Sequence, residues 1–151
     1  MSDKYAATGL QDVNTAAPGD STLSIQGITT KRERVYELLF SQGSAPADVV
    51  CEWLVRRFDT ADGTGTAIVP EQLDNLAPAS GVTVQEDHTV EPTVVAASEL
   101  LDFDLNQRAT FRWVAAPGGE FVIPAVATEG IFMTEIGTYA GITRVTAHWD
   151  E

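Results

Sequence analysis

Hydrophobic and polar positions alternate with a period of two along most of this chain, in short runs divided by glycine, proline and small polar stretches. That is the pattern of half-buried strands. The central example is ATFRWVAAPGGEFVIP, residues 109–124. Ala109, Phe111 and Trp113 alternate with Thr110, Arg112 and Val114, Pro117-Gly118-Gly119 breaks the run, and Phe121-Val122-Ile123 follows before Pro124. The spacing predicts two antiparallel strands around a Pro-Gly-Gly turn, with Phe111 and Trp113 as core anchors.

The same reading places strands elsewhere. Leu23, Ile25 and Ile28 mark a first strand. KRERVYELLF (31–40) and the run at 47–58, with Val49, Cys51, Trp53 and Val55 on one face, fit strands, although each also carries an alternative helical register. The lack of an N-cap box before 31–40 and the turn-like Ser41-Gln42-Gly43-Ser44 after it favour strand there, as β-branched and aromatic content does for 47–58, and the two would form a hairpin around residues 41–47. DTADGTGT (59–66) reads as a loop, and 70–79 as a helical turn or an extended crossing. Further strands are expected at 81–85, 90–97, 100–105, 131–136 and 142–149, with Glu86-Asp87-His88 as an exposed acidic turn and a second turn around Tyr139. The expected architecture is all-β: a single-domain β-sandwich or jelly roll of about eight strands over residues 20–151. Residues 1–19, poor in bulky apolar side chains, are expected to be an extended N-terminal arm lying on a neighbour, which could be trimmed without loss of the sheets.

Composition narrows the function classes. With 22 acidic and nine basic residues the formal net charge is −13, which opposes binding to a phosphate backbone, so no nucleic-acid partner is expected. No run of 18 apolar residues suggests a membrane partner, and the first residues lack the apolar core of a signal peptide. The single cysteine, Cys51, sits in VVCEWLV and reads as an inert buried thiol. Asp59, Asp62 and Gly63 resemble part of a calcium loop but lack its spacing and closing glutamate. His88 and His148 are too few for a three-histidine metal centre, and no nucleophile elbow occurs. No catalytic residues and no cofactor are therefore expected.

Taken together, the acidic, cysteine-poor β-pattern, the Ala/Gly/Pro-rich amino end, GITTKRERVYELLFSQGSAPAD, DGTGTAIVPEQLD and LNQRATFRWVAAPGGEFVIP resemble the small virion proteins of tailed bacteriophages, especially head decoration or cement proteins with a jelly-roll-like sandwich. The resemblance implies a non-enzymatic protein assembled in the host cytoplasm and placed on the capsid surface of the virion. Its partners would be the major capsid protein and further copies of itself, as a trimer where it occupies local threefold positions. On that reading Tyr5, Leu10 and Val13 of the arm are expected interface residues, with Arg32, Arg34 and Arg56 as cations facing acidic partner surfaces. Two rivals share the fold class. One is a carbohydrate-binding module or tail-associated receptor binder, which would need tryptophans exposed on one face, and the other is a cupin-like enzyme, which would need a metal cluster.

Overall fold

A computed structural model of the chain describes residues 2–12, 21–137 and 141–151. These contain no helix and twelve strands: β1 (Lys4–Asp12), β2 (Ser21–Gln26), β3 (Glu33–Gln42), β4 (Val50–Phe58), β5 (Thr64–Ile68), β6 (Glu71–Gln72), β7 (Thr83–Val90), β8 (Val94–Asn106), β9 (Phe111–Val114), β10 (Phe121–Ile123), β11 (Gly130–Ile136) and β12 (Ile142–Asp150). All pairings are antiparallel. Sheet A has the order β10-β3-β12-β1-β6, with β9 also on β3, and sheet B has the order β5-β7-β2-β11-β4-β8.

Counting β9 and β10 as one interrupted strand leaves an eight-strand framework once β5, β6 and β7 are set aside. Its strands alternate between the sheets except at β4 and β8, which follow one another in sheet B, and pair β1 with β12, β2 with β11, β3 with β9/β10 and β4 with β8. This is one long antiparallel ribbon wrapped into two layers, the jelly roll. The additional pairings of β12 with β3 and β11 with β4 close the wrap. Residues 59–93, between β4 and β8, are an insertion that extends both sheets. Inside, Tyr5, Phe40 and Trp149 of sheet A meet Ile25, Trp53 and Met133 of sheet B, all fully buried, and Phe40 packs edge-on to Trp53 with ring centroids 5.2 Å apart.

Four expectations are corrected by the pairing. The first is the N-terminal arm, because Lys4–Asp12 is an internal strand zipped to β12 along its whole length. Its residues are small because the sheets approach closely there: a Cβ on Gly9 would lie 2.6 Å from the Thr22 carbonyl oxygen and 2.7 Å from Leu23 Cδ1. The second is the Pro-Gly-Gly hairpin. Phe111 and Val114 face Phe40 and Glu37 of β3, whereas Phe121 and Ile123 face Val35 and Glu33 of the same strand, so β9 and β10 follow one another along a single edge. The Ala115 amide still donates to the Tyr36 carbonyl at 2.9 Å, residues 116–120 bulge outward, and Trp113 stacks on Phe121 across the base at 4.1 Å and 7°. Third, β3 and β4 are strands but lie in different sheets, so residues 43–49 cross between layers rather than turning a hairpin. Fourth, Glu86-Asp87-His88 lies inside β7, where Asp87 takes a positive φ of 49° and bends the strand.

Replacing Gly9 by alanine forces a methyl group into backbone that cannot retreat, and we expect a loss of roughly 2–3 kcal/mol in urea unfolding. Deleting residues 2–12 removes a central strand, so the truncated chain should show no cooperative unfolding transition by circular dichroism.

Candidate functional site

The expected interface residues do not converge. Tyr5 is fully buried, stacks on Trp149 with centroids 6.1 Å apart and donates its hydroxyl to the Pro78 carbonyl at 3.0 Å, so it belongs to the core rather than to a contact surface. Leu10 is half-buried on the opposite side of β1, and Val13 lies outside the described residues. Arg32 and Arg34 are exposed, with Arg34 directly across the ladder from Asp150. Arg56 lies on sheet B, where its guanidinium already meets Glu99 at 2.8 Å.

Two buried polar clusters lie apart from these residues. On sheet B, His88 is fully buried, with Nε2 3.2 Å from Ser24 Oγ, Nδ1 3.2 Å from the Ser21 carbonyl oxygen and Asp62 Oδ1 at 4.0 Å. Gln85 donates to the second Asp62 oxygen at 2.7 Å, and burial pushes the Asp62 carboxyl above its ordinary range. Serine, histidine and aspartate thus meet, but Ser24 and His88 have no exposed surface, and the contacts tie the insertion to β2. The loop read as a partial calcium site turns Asp62 inward to this cluster, and no group of three or more metal-ligating side chains occurs among the described residues.

The second cluster joins Cys51 and Glu135. Gln42 Nε2 lies 2.9 Å from the Cys51 sulfur, which also reaches the Leu105 carbonyl oxygen at 3.3 Å, and burial pushes the thiol up to about 11. A thiol held neutral at physiological pH is a poor nucleophile, in line with an inert cysteine. Burial also raises the neighbouring Glu135 carboxyl to about 7, and raises Glu33, packed against Gly27 at the head of β3, to about 7.

The accessible candidate is a strap formed by residues 69–79 of the insertion. It leaves sheet B after β5, lays β6 beside β1 and returns toward β7. The strap is pinned: the Leu73 amide donates to the Lys4 carbonyl at 2.9 Å, Ala77 to Asp74 at 2.9 Å, and Gln72 Nε2 to the Ala77 carbonyl at 3.2 Å. Yet it presents apolar side chains to solvent, with Val69 84%, Leu73 52% and Leu76 88% exposed. Shallow hollows flank them, one of about 260 Å³ lined by Ala6, Thr8, Ile68 and Val69, the other of about 200 Å³ lined by Asp3, Lys4, Leu73 and Asp74. Leu73 and Leu76 are visible in the sequence as apolar residues in a polar stretch, but nothing there distinguishes an outward leucine from an inward one.

Tryptophan does not supply a sugar platform. Trp53 and Trp149 are fully buried, and half-buried Trp113 has one face covered by Phe121. The sequence matches no protein-family model, no curated protein and no solved structure.

The raised carboxyls set a pH dependence. Glu33 and Glu135 titrate near 4.5 when unfolded and near 7 when folded, so the folded state favours their neutral forms. Their stabilising contribution is complete below about pH 4.5 and is lost as the pH rises through 7. We expect Glu33→Gln and Glu135→Gln each to raise the Tm at pH 8 by roughly 3–8 °C and to have little effect at pH 4.5, measured by scanning calorimetry.

Proposed function

We propose that the chain is a non-enzymatic virion protein that decorates and stabilises a phage capsid, with the strap at 69–79 as its docking surface for the major capsid protein. The observation that carries this reading is the exposure of Val69, Leu73 and Leu76 on a segment whose backbone is held by hydrogen bonds. A rigid strap loses little conformational entropy on docking. Burying three such side chains contributes about 1.5–3 kcal/mol each before the costs of association. Isolated apolar side chains are common on protein surfaces, but here three are exposed on one short pinned strap, and Val69 and Leu73 each line a hollow.

The surroundings specify the partner's chemistry. Asp3, Glu71 and Asp74 outnumber Lys4 around the patch, so the complementary surface is apolar at its centre and mainly basic at its rim. The jelly-roll framework is in keeping with the resemblance to decoration proteins, and the strap belongs to the insertion rather than to that framework. A fold shared by capsid proteins, lectins and cupins assigns no function by itself, whereas the strap is particular to this chain's insertion.

The test is co-sedimentation with mature phage heads lacking this chain. Leu73→Asp combined with Leu76→Asp should weaken binding at least tenfold while leaving the far-ultraviolet circular dichroism and the Tm close to wild type, because both side chains already face solvent. Undiminished binding by the double variant would overturn the strap as the docking surface, and absence of wild-type binding would overturn the capsid reading.

A further inference from the structure

The two long sides of the sandwich are closed differently. On one side the insertion covers the edge of β1, where the carboxylates of Glu86 and Asp87 accept from the Leu10 and Asp12 amides. On the other side β8 ends sheet B, and among the described residues only β4 pairs with it. β9 and β10 end sheet A beside it, and Phe103 of β8 meets Phe111 of β9 with ring centroids 4.5 Å apart. Inward side chains of the middle strands, such as Leu38, Trp53 and Val55, are fully buried, whereas Leu101, Phe103, Leu105, Phe111, Trp113 and Phe121 along this side are half-buried. The core is thus left uncapped along one flank.

From Leu101 to Asn106, β8 keeps an unbroken register against Val55 to Val50. The Gln107 amide donates to the Val49 carbonyl at 3.0 Å, which sets the phase of the antiparallel ladder. Leu101, Phe103 and Leu105 turn their amides and carbonyls to β4, and those of Asp102 and Asp104 point away from it. An edge of this kind is a template for a further strand. The side chains beside it select the occupant. Across the outer face Asp104 lies next to Glu52 and then Ile136, and Asp102 next to Leu54 and then Thr134, so neither row holds a cation. Asp48 adds a carboxylate at the Asn106 end. The guanidiniums of this flank are engaged: Arg56 with Glu99 at 2.8 Å, Arg57 with the Val122 carbonyl at 2.8 Å and Arg108 with the Pro46 carbonyl at 3.4 Å. The β8 edge of a second copy would bring carboxylates against carboxylates, which is destabilising.

We propose that the free edge of β8 takes up an extended segment of a partner protein in which apolar and basic residues alternate, added as a new edge strand of sheet B. The segment's backbone pairs with the outward groups of Asp102 and Asp104, its apolar side chains cover Phe103 and Phe111, and its basic side chains lie beside Asp102, Asp104 and Glu52. The strap lies at the opposite edge of sheet A from β10, so this contact stands whether or not the strap docks on a capsid.

The test uses the full chain and a fluorescein-labelled, end-capped peptide of about nine residues, a common strand length, that alternates valine with lysine. Followed by fluorescence anisotropy, it should bind saturably with a Kd below about 0.1 mM. The same peptide N-methylated at its four central residues keeps every charge but loses the strand donors, and should bind at least tenfold more weakly. A peptide alternating valine with glutamate should not bind. Asp104→Pro removes an amide that points away from β4, so it should weaken binding at least tenfold with the Tm close to wild type. Asp102→Asn with Asp104→Asn keeps the backbone and should weaken binding about threefold. Saturating peptide should slow hydrogen exchange at the Asp102 and Asp104 amides at least tenfold. If Asp104→Pro misfolds, the N-methylated peptide and the exchange rates carry the test on wild type. No saturable binding up to about 1 mM, equal binding of the N-methylated or glutamate peptide, or protection confined to other strands would overturn the proposal. A wild-type dimer in light scattering that Asp104→Pro abolishes would overturn it in favour of a second copy. Leu73→Asp with Leu76→Asp should bind the peptide as wild type does, and loss of binding there would place the site at the strap instead.

Discussion

The ladder between the first and last strands is the constraint on which the rest of the fold depends. From Lys4 opposite Asp150 to Asp12 opposite Ile142, nine consecutive residue pairs join the two ends of the sequence in the middle of sheet A. β12 then holds β3, and β3 holds β9 and β10 along its other edge. Sheet B repeats the logic, with β11 between β2 and β4. Because these contacts join residues far apart in sequence, the loop-closure cost is met before most of the apolar burial is gained. Folding is expected to be slow and cooperative, and β1 must fit closely over sheet B, which explains why Ala7 and Gly9 occupy inward positions where larger residues would drive the layers apart.

The insertion at 59–93 depends on the same strand. Past the short pairing with β6, the outer edge of β1 would present unpaired amides, a template for unwanted strand addition. Two carboxylates from β7 occupy it: Glu86 accepts from the Leu10 amide at 2.8 Å and Asp87 from the Asp12 amide at 3.3 Å. The bend at Asp87 that makes this possible also turns His88 to the other side of the sheet, into the cluster with Ser24 and Asp62. One local distortion thus covers an edge and fastens the insertion. The strap between β5 and β7 is fixed at both ends, so its apolar side chains are held outward.

Much of the architecture is legible in the alternation of residue types. The runs at 31–40 and 47–58 are strands, as their β-branched and aromatic residues indicate, and the eight-strand jelly roll is present as a framework. Pairing is less legible, because alternation states which side of a strand is buried and is silent on which strand lies beside it. Phe111 and Trp113, the expected anchors, pack half-buried against the core, but β9 and β10 both use the edge of β3 instead of each other. The amino end misleads for a different reason: small residues are common in loose segments and in places where two sheets approach most closely. His88, flanked by Glu86 and Asp87, has the composition of a surface turn, and only the bend in β7 makes it a core residue. The strap reads in the sequence as either a helical turn or an extended crossing, and only the structure selects the crossing and the solvent exposure of Leu76.

Charge distribution then decides how such a molecule meets its neighbours. At −13, two copies approaching in an arbitrary orientation repel one another, and that repulsion protects a β-rich protein with long exposed edges from indiscriminate association. Repulsion of this kind does not forbid contact; it selects among contacts. On the outer face of sheet A, Lys4, Arg34, Arg112 and Arg144 lie among Glu37, Asp150, Asp12 and Glu71, while Glu52, Asp102 and Asp104 lie together on the outer face of sheet B. Screening by salt at a Debye length of about 8 Å reduces that long-range repulsion more than it reduces close ion pairs such as Arg112 with Glu37. The net charge therefore supplies solubility. The apolar side chains of the strap adjoin the outer face of sheet A, since the hollows beside Val69 and Leu73 are lined by Lys4, Ala6 and Thr8 of β1, and a partner there meets apolar and charged groups together.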